Sequence, residues 1–239
     1  MHELQTRYAP QIQELADAAN RLAALGFVTS QGGNLSLRAD DVILITPTQM
    51  AKADIRFEDI CIIDMTGRVL YAAEGHRPTG EWPFHLRSMQ KRPDVQGIIH
   101  AHPPILTGFA IAGGDAMQRG FLPEPITEVG PMMLVPYAVP LSDELAQNFD
   151  AVIEKSNGFL MENHGCVMVS PEGLKRCLEM MEMMEAQGKS MIVASILGNL
   201  KSLSRERIDE LDEGVSRVRH IPFPGLPGAV EKLSDIFIC

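Results

Sequence analysis

Gly97-Ile98-Ile99-His100-Ala101-His102-Pro103-Pro104 is the stretch from which the rest of the chain can be read. An apolar run leads into two histidines one residue apart, and a Pro-Pro pair then stops the segment, since proline has no N–H to give a ladder. On a β-strand, side chains at i and i+2 point to the same side. The pattern therefore predicts a buried strand whose end projects His100 and His102 together. Two imidazoles so placed begin a metal site, because zinc and similar ions accept neutral histidine nitrogens. Taken alone, the pair is explained slightly better by surface or satisfied core histidines, so the rest of the chain must decide.

Upstream, Arg77-Pro78-Thr79-Gly80-Glu81-Trp82-Pro83-Phe84-His85 opens a helix running to about Lys91. Pro83 sits near its start, where the missing N–H costs nothing. Glu81 is expected in the first turn, complementing the helix dipole, and His85 as a packed helix residue. Downstream, Ile105 to Ala112 reads as a short helix, and Met132 to Val135 as a strand within a Pro/Gly-rich stretch from Phe121 to Pro136. Gly158 to Val169 reads as two strand segments broken at Asn163-His164-Gly165, which puts a third imidazole at a strand end. Ser170-Pro171 is expected to cap a long helix from about Glu172 to Leu197, whose Met180, Met181, Met183, Met184 and Met191 read as adaptable core packing.

At the N-terminal side, Ile12, Leu15, Ala19 and Leu22 mark an amphipathic helix over about Ala9 to Leu25, with Gly26 placed to end it. Gly32-Gly33-Asn34 is a turn before the alternating Leu35-Ser36-Leu37-Arg38, serving either backbone geometry or an anion-holding nest of N–H groups. Val42 to Thr48 reads as a strand, and Asp59 to Asp64 with Arg68 to Tyr71 as a hairpin. Arg205 to Arg219 reads as a charged helix, and Pro222 to Gly228 as an extended tail packed on another surface.

The 239 residues, 45% hydrophobic and 22% charged, have an ordinary globular composition. A net charge of −10 leaves no basic footprint for nucleic acid or an anionic membrane, so an anionic substrate would need a local pocket. The N-terminus lacks the pattern of a signal peptide, and no apolar run reaches the roughly 18 residues of a membrane span. Cys61, Cys166, Cys177 and Cys239 are irregularly spaced. They read as reduced thiols of a cytoplasmic protein.

Three histidines, His100, His102 and His164, thus stand at predicted strand ends. A three-histidine set with an open position is a catalytic rather than a structural zinc pattern, but periodicity cannot bring His164 to the other two. The ordered blocks Gly33-Asn34-Leu35-Ser36, Leu44-Ile45-Thr46-Pro47-Thr48, Glu81-Trp82-Pro83-Phe84-His85, Arg92-Pro93-Asp94 through His100-Ala101-His102, Val135-Pro136-Tyr137-Ala138 and Asn163-His164-Gly165 complete the picture. With the helix beginning near Glu172, they run from about residue 10 to 195. In this order the chain resembles the class II aldolase/adducin family.

The resemblance implies an α/β fold of α/β/α layers, with a central, mainly antiparallel sheet flanked by helices. It implies a single domain over residues 1–239, with 200–239 as a C-terminal helix and extended tail, and a homotetramer with each active site at a subunit interface. It implies His100, His102 and His164 as ligands of Zn²⁺, or of another divalent ion such as Mn²⁺ or Co²⁺, and Glu81 as the adjacent acid/base. The chemistry would be aldol cleavage of a ketose phosphate or related hydroxy-ketone through a metal-stabilised enediolate.

Phosphate contacts are implied at Gly33, Asn34, Thr48, Gln49, Thr79 and Gly80. Gln49 stands where aldolases usually have glycine, and Gly80 where they usually have serine. The family's catalytic tyrosine would fall near Pro123-Glu124, where none exists; Glu124, Glu128 and Tyr137 are the nearby substitutes. Glutamate at 81 favours aldolase over the related 4-epimerases, which carry aspartate there. A sugar-phosphate 4-epimerase or a β-keto acid decarboxylase using the same metal remains the alternative, and a non-catalytic assembly domain of adducin type a remote one.

Overall fold

The computed structural model describes residues 2–219 and 223–238. Short apolar runs form eight strands: β1 (Asn34–Ala39), β2 (Val42–Ile45), β3 (Cys61–Asp64), β4 (Val69–Tyr71), β5 (Gly97–Ala101), β6 (Met132–Val135), β7 (Gly158–Met161) and β8 (Gly165–Ser170). They make one sheet in the order β4-β3-β2-β1-β5-β8-β7-β6. Every neighbouring pair is antiparallel except β6 and β7. The His-x-His strand β5 therefore lies in mid-sheet, between β1 and β8, where burial on both faces suits its continuous apolar run.

Eight helices accompany the sheet: α1 (Glu3–Arg7), α2 (Ala9–Ala24), α3 (Trp82–Lys91), α4 (Pro104–Ile111), α5 (Pro123–Glu128), α6 (Asp143–Asn148), α7 (Leu174–Leu197) and α8 (Arg205–Arg219). Alternation along the strands separates two cores. Leu35, Leu37, Leu44, Ile62, Ile99 and Met168 face one side with Ile12, Leu15 and Leu22 of α2 and Met180, Met181, Met184 and Met191 of α7. Ile43, Ile45, Ile63, Ile98, Phe159 and Val169 face the other with Phe84 and Met89 of α3, Leu145 of α6 and Phe149. This is the layered α/β arrangement expected, with a mainly antiparallel sheet between helices.

Some boundaries differ for identifiable reasons. The helix expected from Glu172 begins at Leu174, with Gly173 as its N-cap at φ +92°. Ser170 belongs to β8, and its Oγ accepts from Glu172 N at 2.9 Å instead of capping the helix. The helical turns α1, α5 and α6 are too short to show a helical period in sequence. Of the extended tail expected over Pro222 to Gly228, Pro222 lies outside the described residues. Beyond it, Leu226 N donates to Glu154 O at 2.8 Å and Gly225 N to Asn157 Oδ1 at 3.1 Å.

Arg92 is wholly buried between these parts, paired with Asp94 at 2.7 Å and donating to the carbonyls of Ile153 and Ser156. It ties the end of α3 and the start of β5 to the loop before β7. No described helix is long and apolar enough to cross a membrane.

Candidate metal and acid–base site

Register places the first parts of the site. Asn34 at the start of β1 pairs with His100 near the end of β5, and His100 pairs with Val167 of β8. His100 Nδ1 lies 2.9 Å from Cys166 O. A carbonyl can only accept, so Nδ1 carries the hydrogen and Nε2 keeps the lone pair a metal needs.

His102 follows one residue after the strand, held by its N–H to Phe27 O at 2.8 Å. Glycines make room for its ring. A Cβ at Gly32 would come 2.9 Å from His102 Nδ1, and one at Gly165 would come 2.6 Å from His102 Cδ2. His164 sits in the β7–β8 turn, after Asn163 at φ +53°, where Asn tolerates the left-handed region.

The fold thus joins what spacing could not. One nitrogen from each of His100, His102 and His164 lies within 4.8 Å of the others. Burial, and then the neighbouring histidines, push the His100 and His102 pKa values down to about 3. Both are neutral at physiological pH, the form that ligates metal. His164 Nδ1 is buried and has no hydrogen-bond partner. Three converging imidazoles, two of them neutral and one of these fixed in its Nε2-ligating tautomer, fit a divalent ion of the zinc type.

Glu81 stands at the start of α3, as its sequence suggests, but it points inward rather than outward as a dipole-complementing surface acid. It is the N-cap of α3 but makes no capping bond; its carboxylate turns into the site instead. Oε2 stands 3.5 Å from His100 Nε2, and Oε1 3.7 Å from His164 Nε2. Asn34 Nδ2 donates to Oε2 at 2.7 Å.

Behind Asn34 lies fully buried His85, with Nε2 2.5 Å from Asn34 Oδ1 and Nδ1 2.7 Å from Ser36 Oγ. Asn34 Oδ1 must accept, so Nε2 carries the hydrogen and Nδ1 receives the Ser36 hydroxyl. Burial holds the His85 pKa well below the ordinary value, which keeps this neutral tautomer. His85 is packed as expected, stacked on Phe84 at 4.2 Å. The run Ser36–His85–Asn34–Glu81 was not readable from spacing.

The three loops expected to hold phosphate come together. Gly33, Asn34, Thr48, Gln49, Thr79 and Gly80 line one cavity of about 200 Å³ with Glu81 and the three histidines. Thr48 N donates to Arg77 O and Thr79 N to Thr46 O, both at 3.0 Å, which joins two of the loops.

Both departures from the family pattern have a local reading. Gln49 sits at φ +57°, a backbone that explains why glycine is usual there. At Gly80 a Cβ would come 2.9 Å from Leu141 Cδ2, so an apolar side chain occupies the space of a serine. Leu141, at φ +70°, and the fully buried Lys52 also line the cavity, and neither was singled out by sequence.

The substitutes for the tyrosine lie elsewhere. Glu124 is on α5 and does not line this cavity, Glu128 pairs with Arg176, and exposed Tyr137 gives its N–H to Glu162.

Comparison with known proteins identifies the family. Residues 13–191 match the model of the class II aldolase and adducin N-terminal domain. The chain is 33% identical to an L-fuculose phosphate aldolase of Methanococcus maripaludis, over 61% of this chain and 77% of that protein. It is 30% identical to a 3-oxo-tetronate 4-phosphate decarboxylase of Pectobacterium atrosepticum, over 78% of this chain and 85% of that one. Among solved structures, YgbL of Escherichia coli superimposes with a TM-score of 0.76 at 27% identity, covering 84% of this chain and 97% of that chain. The chain belongs to the class II aldolase and adducin N-terminal domain family.

Proposed function

We propose that the protein is a divalent-metal-dependent carbon–carbon lyase, an aldolase acting on a ketose phosphate or related hydroxy-ketone. The observation that carries this is the Glu81 carboxylate, held by Asn34 and facing two of three clustered imidazoles in a cavity lined by anion-binding loops. His100, His102 and His164 are the ligands, and zinc, manganese or cobalt suits them. The bound ion supplies Lewis-acid stabilisation of the oxyanion that develops next to the breaking bond.

The remaining work falls to the chain. Glu81 Oε2 is engaged by Asn34, so Oε1 is the oxygen that exchanges a proton with the substrate. As the carbon–carbon bond breaks, the hydroxyl on the departing carbon gives up its proton to water and becomes the aldehyde, while Glu81 delivers a proton to the carbon that retains the electron pair and removes it in the reverse direction. Gly33, Asn34, Thr48, Gln49, Thr79 and Gly80 form the wall that orients the substrate's anionic end.

Loss of CO₂ from a β-keto acid phosphate is the second reading. It needs the same electron sink and proton donor, and relatives named 3-oxo-tetronate 4-phosphate decarboxylase are as similar to this chain as the named aldolases. A homotetramer completes the proposal. Tyr137, Val139 and Leu141 form an exposed apolar loop, Leu141 at the cavity, and a neighbouring subunit there would supply the aldehyde side. The buried free thiols Cys61, Cys166 and Cys177 suit a cytoplasmic location.

The experiment is a screen of the metal-loaded protein with ketose phosphates and β-keto acid phosphates, with product masses read with and without chelator. Two fragments, formed only with metal, would support the aldolase. CO₂ release would move the assignment to the decarboxylase, and an isomer of unchanged mass to the epimerase.

A further inference from the structure

The anion wall of the cavity is poor in side-chain donors at one point and unexpectedly charged at another. Gly80 offers no hydroxyl, and Leu141 fills the adjoining space. The same cavity is lined by Lys52, in a short helical turn (Lys52–Asp54) and only 1% exposed. Its ammonium donates to Gln31 O at 3.2 Å and to Met50 O at 2.9 Å. An ammonium has three hydrogens, so two neutral carbonyls leave one uncommitted.

No carboxylate neutralises it. Glu81, the acid of the same cavity, faces His100 and His164. Among the described residues none pairs with Lys52, and burial alone lowers its pKa, to about 8. Lys52 is also the only ammonium or guanidinium among the described residues lining the cavity. A buried cation without a counter-ion is costly to keep. In a chain of net charge −10 it is the local centre that could attract an anion.

We propose that Lys52 anchors the phosphoryl group of a phosphomonoester substrate, seated between the Gln31–Gly33 loop and the Thr48–Lys52 loop. Besides Lys52, the cavity is lined by Thr48 and Gln49, residue types that carry a hydroxyl and an amide donor. That suits the three terminal oxygens of a phosphoryl group better than the two of a carboxylate. Lys52 is thus a specificity-determining residue that the family's phosphate loops do not include. For the reaction, the inference rests on the proposed lyase function; for binding, it stands alone.

The test is calorimetric titration of the metal-containing protein with inorganic phosphate and, separately, acetate, at constant ionic strength. Wild type is compared with Lys52→Gln, which keeps an N–H donor for the carbonyls, and Lys52→Arg, which keeps the charge. Lys52→Gln should weaken phosphate binding at least tenfold, the size of a charge-assisted bond. Lys52→Arg should stay within about threefold, and wild type should bind acetate at least tenfold more weakly than phosphate.

Equal phosphate affinity in wild type and Lys52→Gln would overturn the proposal, as would equal losses in both variants or acetate binding as tightly as phosphate. Should Lys52→Gln not fold, phosphate soaked into crystals of the wild type decides. Bonding to Lys52 Nζ is expected, and a position elsewhere overturns the assignment. Lys52-dependent phosphate binding without turnover of any sugar phosphate would remove the lyase reading and leave this one. Turnover with phosphate affinity indifferent to Lys52 would do the reverse.

Discussion

Asn34 is the residue at which stability and activity should be lost together. Its amide joins buried His85 to Glu81, receiving one bond at 2.5 Å and donating another at 2.7 Å. Asn34→Leu keeps the branched shape and the number of side-chain heavy atoms and removes both bonds. The imidazole N–H of His85 is then orphaned in a fully buried place, at about 1–3 kcal/mol. Glu81 loses a charge-assisted bond worth about 1.5–3 kcal/mol, discounted because the cavity admits water. A loss of about 3 kcal/mol is a large part of a typical stability of about 5–15 kcal/mol. For a chain of this size it lowers Tm by about 6–12 °C. The assay is guanidinium unfolding of chelator-treated wild type and variant, with His85→Ala and the double variant completing a cycle. A coupling of about 1–2 kcal/mol between the two sites is expected. An Asn34→Leu protein within about 0.5 kcal/mol of wild type, or strictly additive losses, would refute the described connection.

Other consequences are as direct. His102→Ala should abolish stoichiometric metal binding while the far-UV spectrum stays native; unchanged metal content by elemental analysis would remove His102 from the ligand set. The metal-free protein should weaken in mild acid. His100 and His102 titrate near 3 when folded and His85 well below its ordinary value, against about 6.5 unfolded. Between about pH 3 and 6.5 the unfolded chain therefore binds more protons, so stability is full above 6.5 and falls as pH drops, by up to about 1.4 kcal/mol per unit per histidine. A urea midpoint unchanged between pH 7.5 and 5.5 would contradict this. Gln49→Gly should cost no more than about 0.5 kcal/mol, because relief of the left-handed backbone offsets glycine's added chain entropy. A loss above about 1 kcal/mol in denaturant unfolding would contradict that balance.

What the sequence disclosed followed from local periodicity. The two-residue spacing of His100 and His102 after Gly-Ile-Ile is a strand signal, and the strand ends at Ala101 with both rings on the site. The break at Asn163-His164-Gly165 is likewise a turn signal, realised between β7 and β8. Bringing His164 to the pair took the ladder of β5 on β8, a contact between distant segments that no local pattern encodes. Glu81 was readable as a helix-start acid. Its turn inward depends on Asn34, whose place opposite His100 is again a matter of strand pairing. Lys52 gave no signal, because Ala51-Lys52-Ala53-Asp54 has the composition of an exposed loop and only packing buries it. Leu141 gave none for the same reason: its reach over Gly80 is set by a loop lying far away in sequence.

A metal-and-glutamate centre that moves a proton at carbon beside a carbonyl can be tested without knowing the aldehyde product. The measurement is hydrogen–deuterium exchange at the hydroxymethyl carbon of dihydroxyacetone phosphate in D₂O, followed by proton NMR with the metal-loaded protein. One hydrogen should exchange stereospecifically, stop exchanging on chelation, resume with zinc, and exchange at least a hundredfold more slowly in a metal-replete Glu81→Gln protein, the scale of general acid–base catalysis. Exchange equally fast in Glu81→Gln, or none in wild type with one metal ion bound per chain, would contradict such a centre.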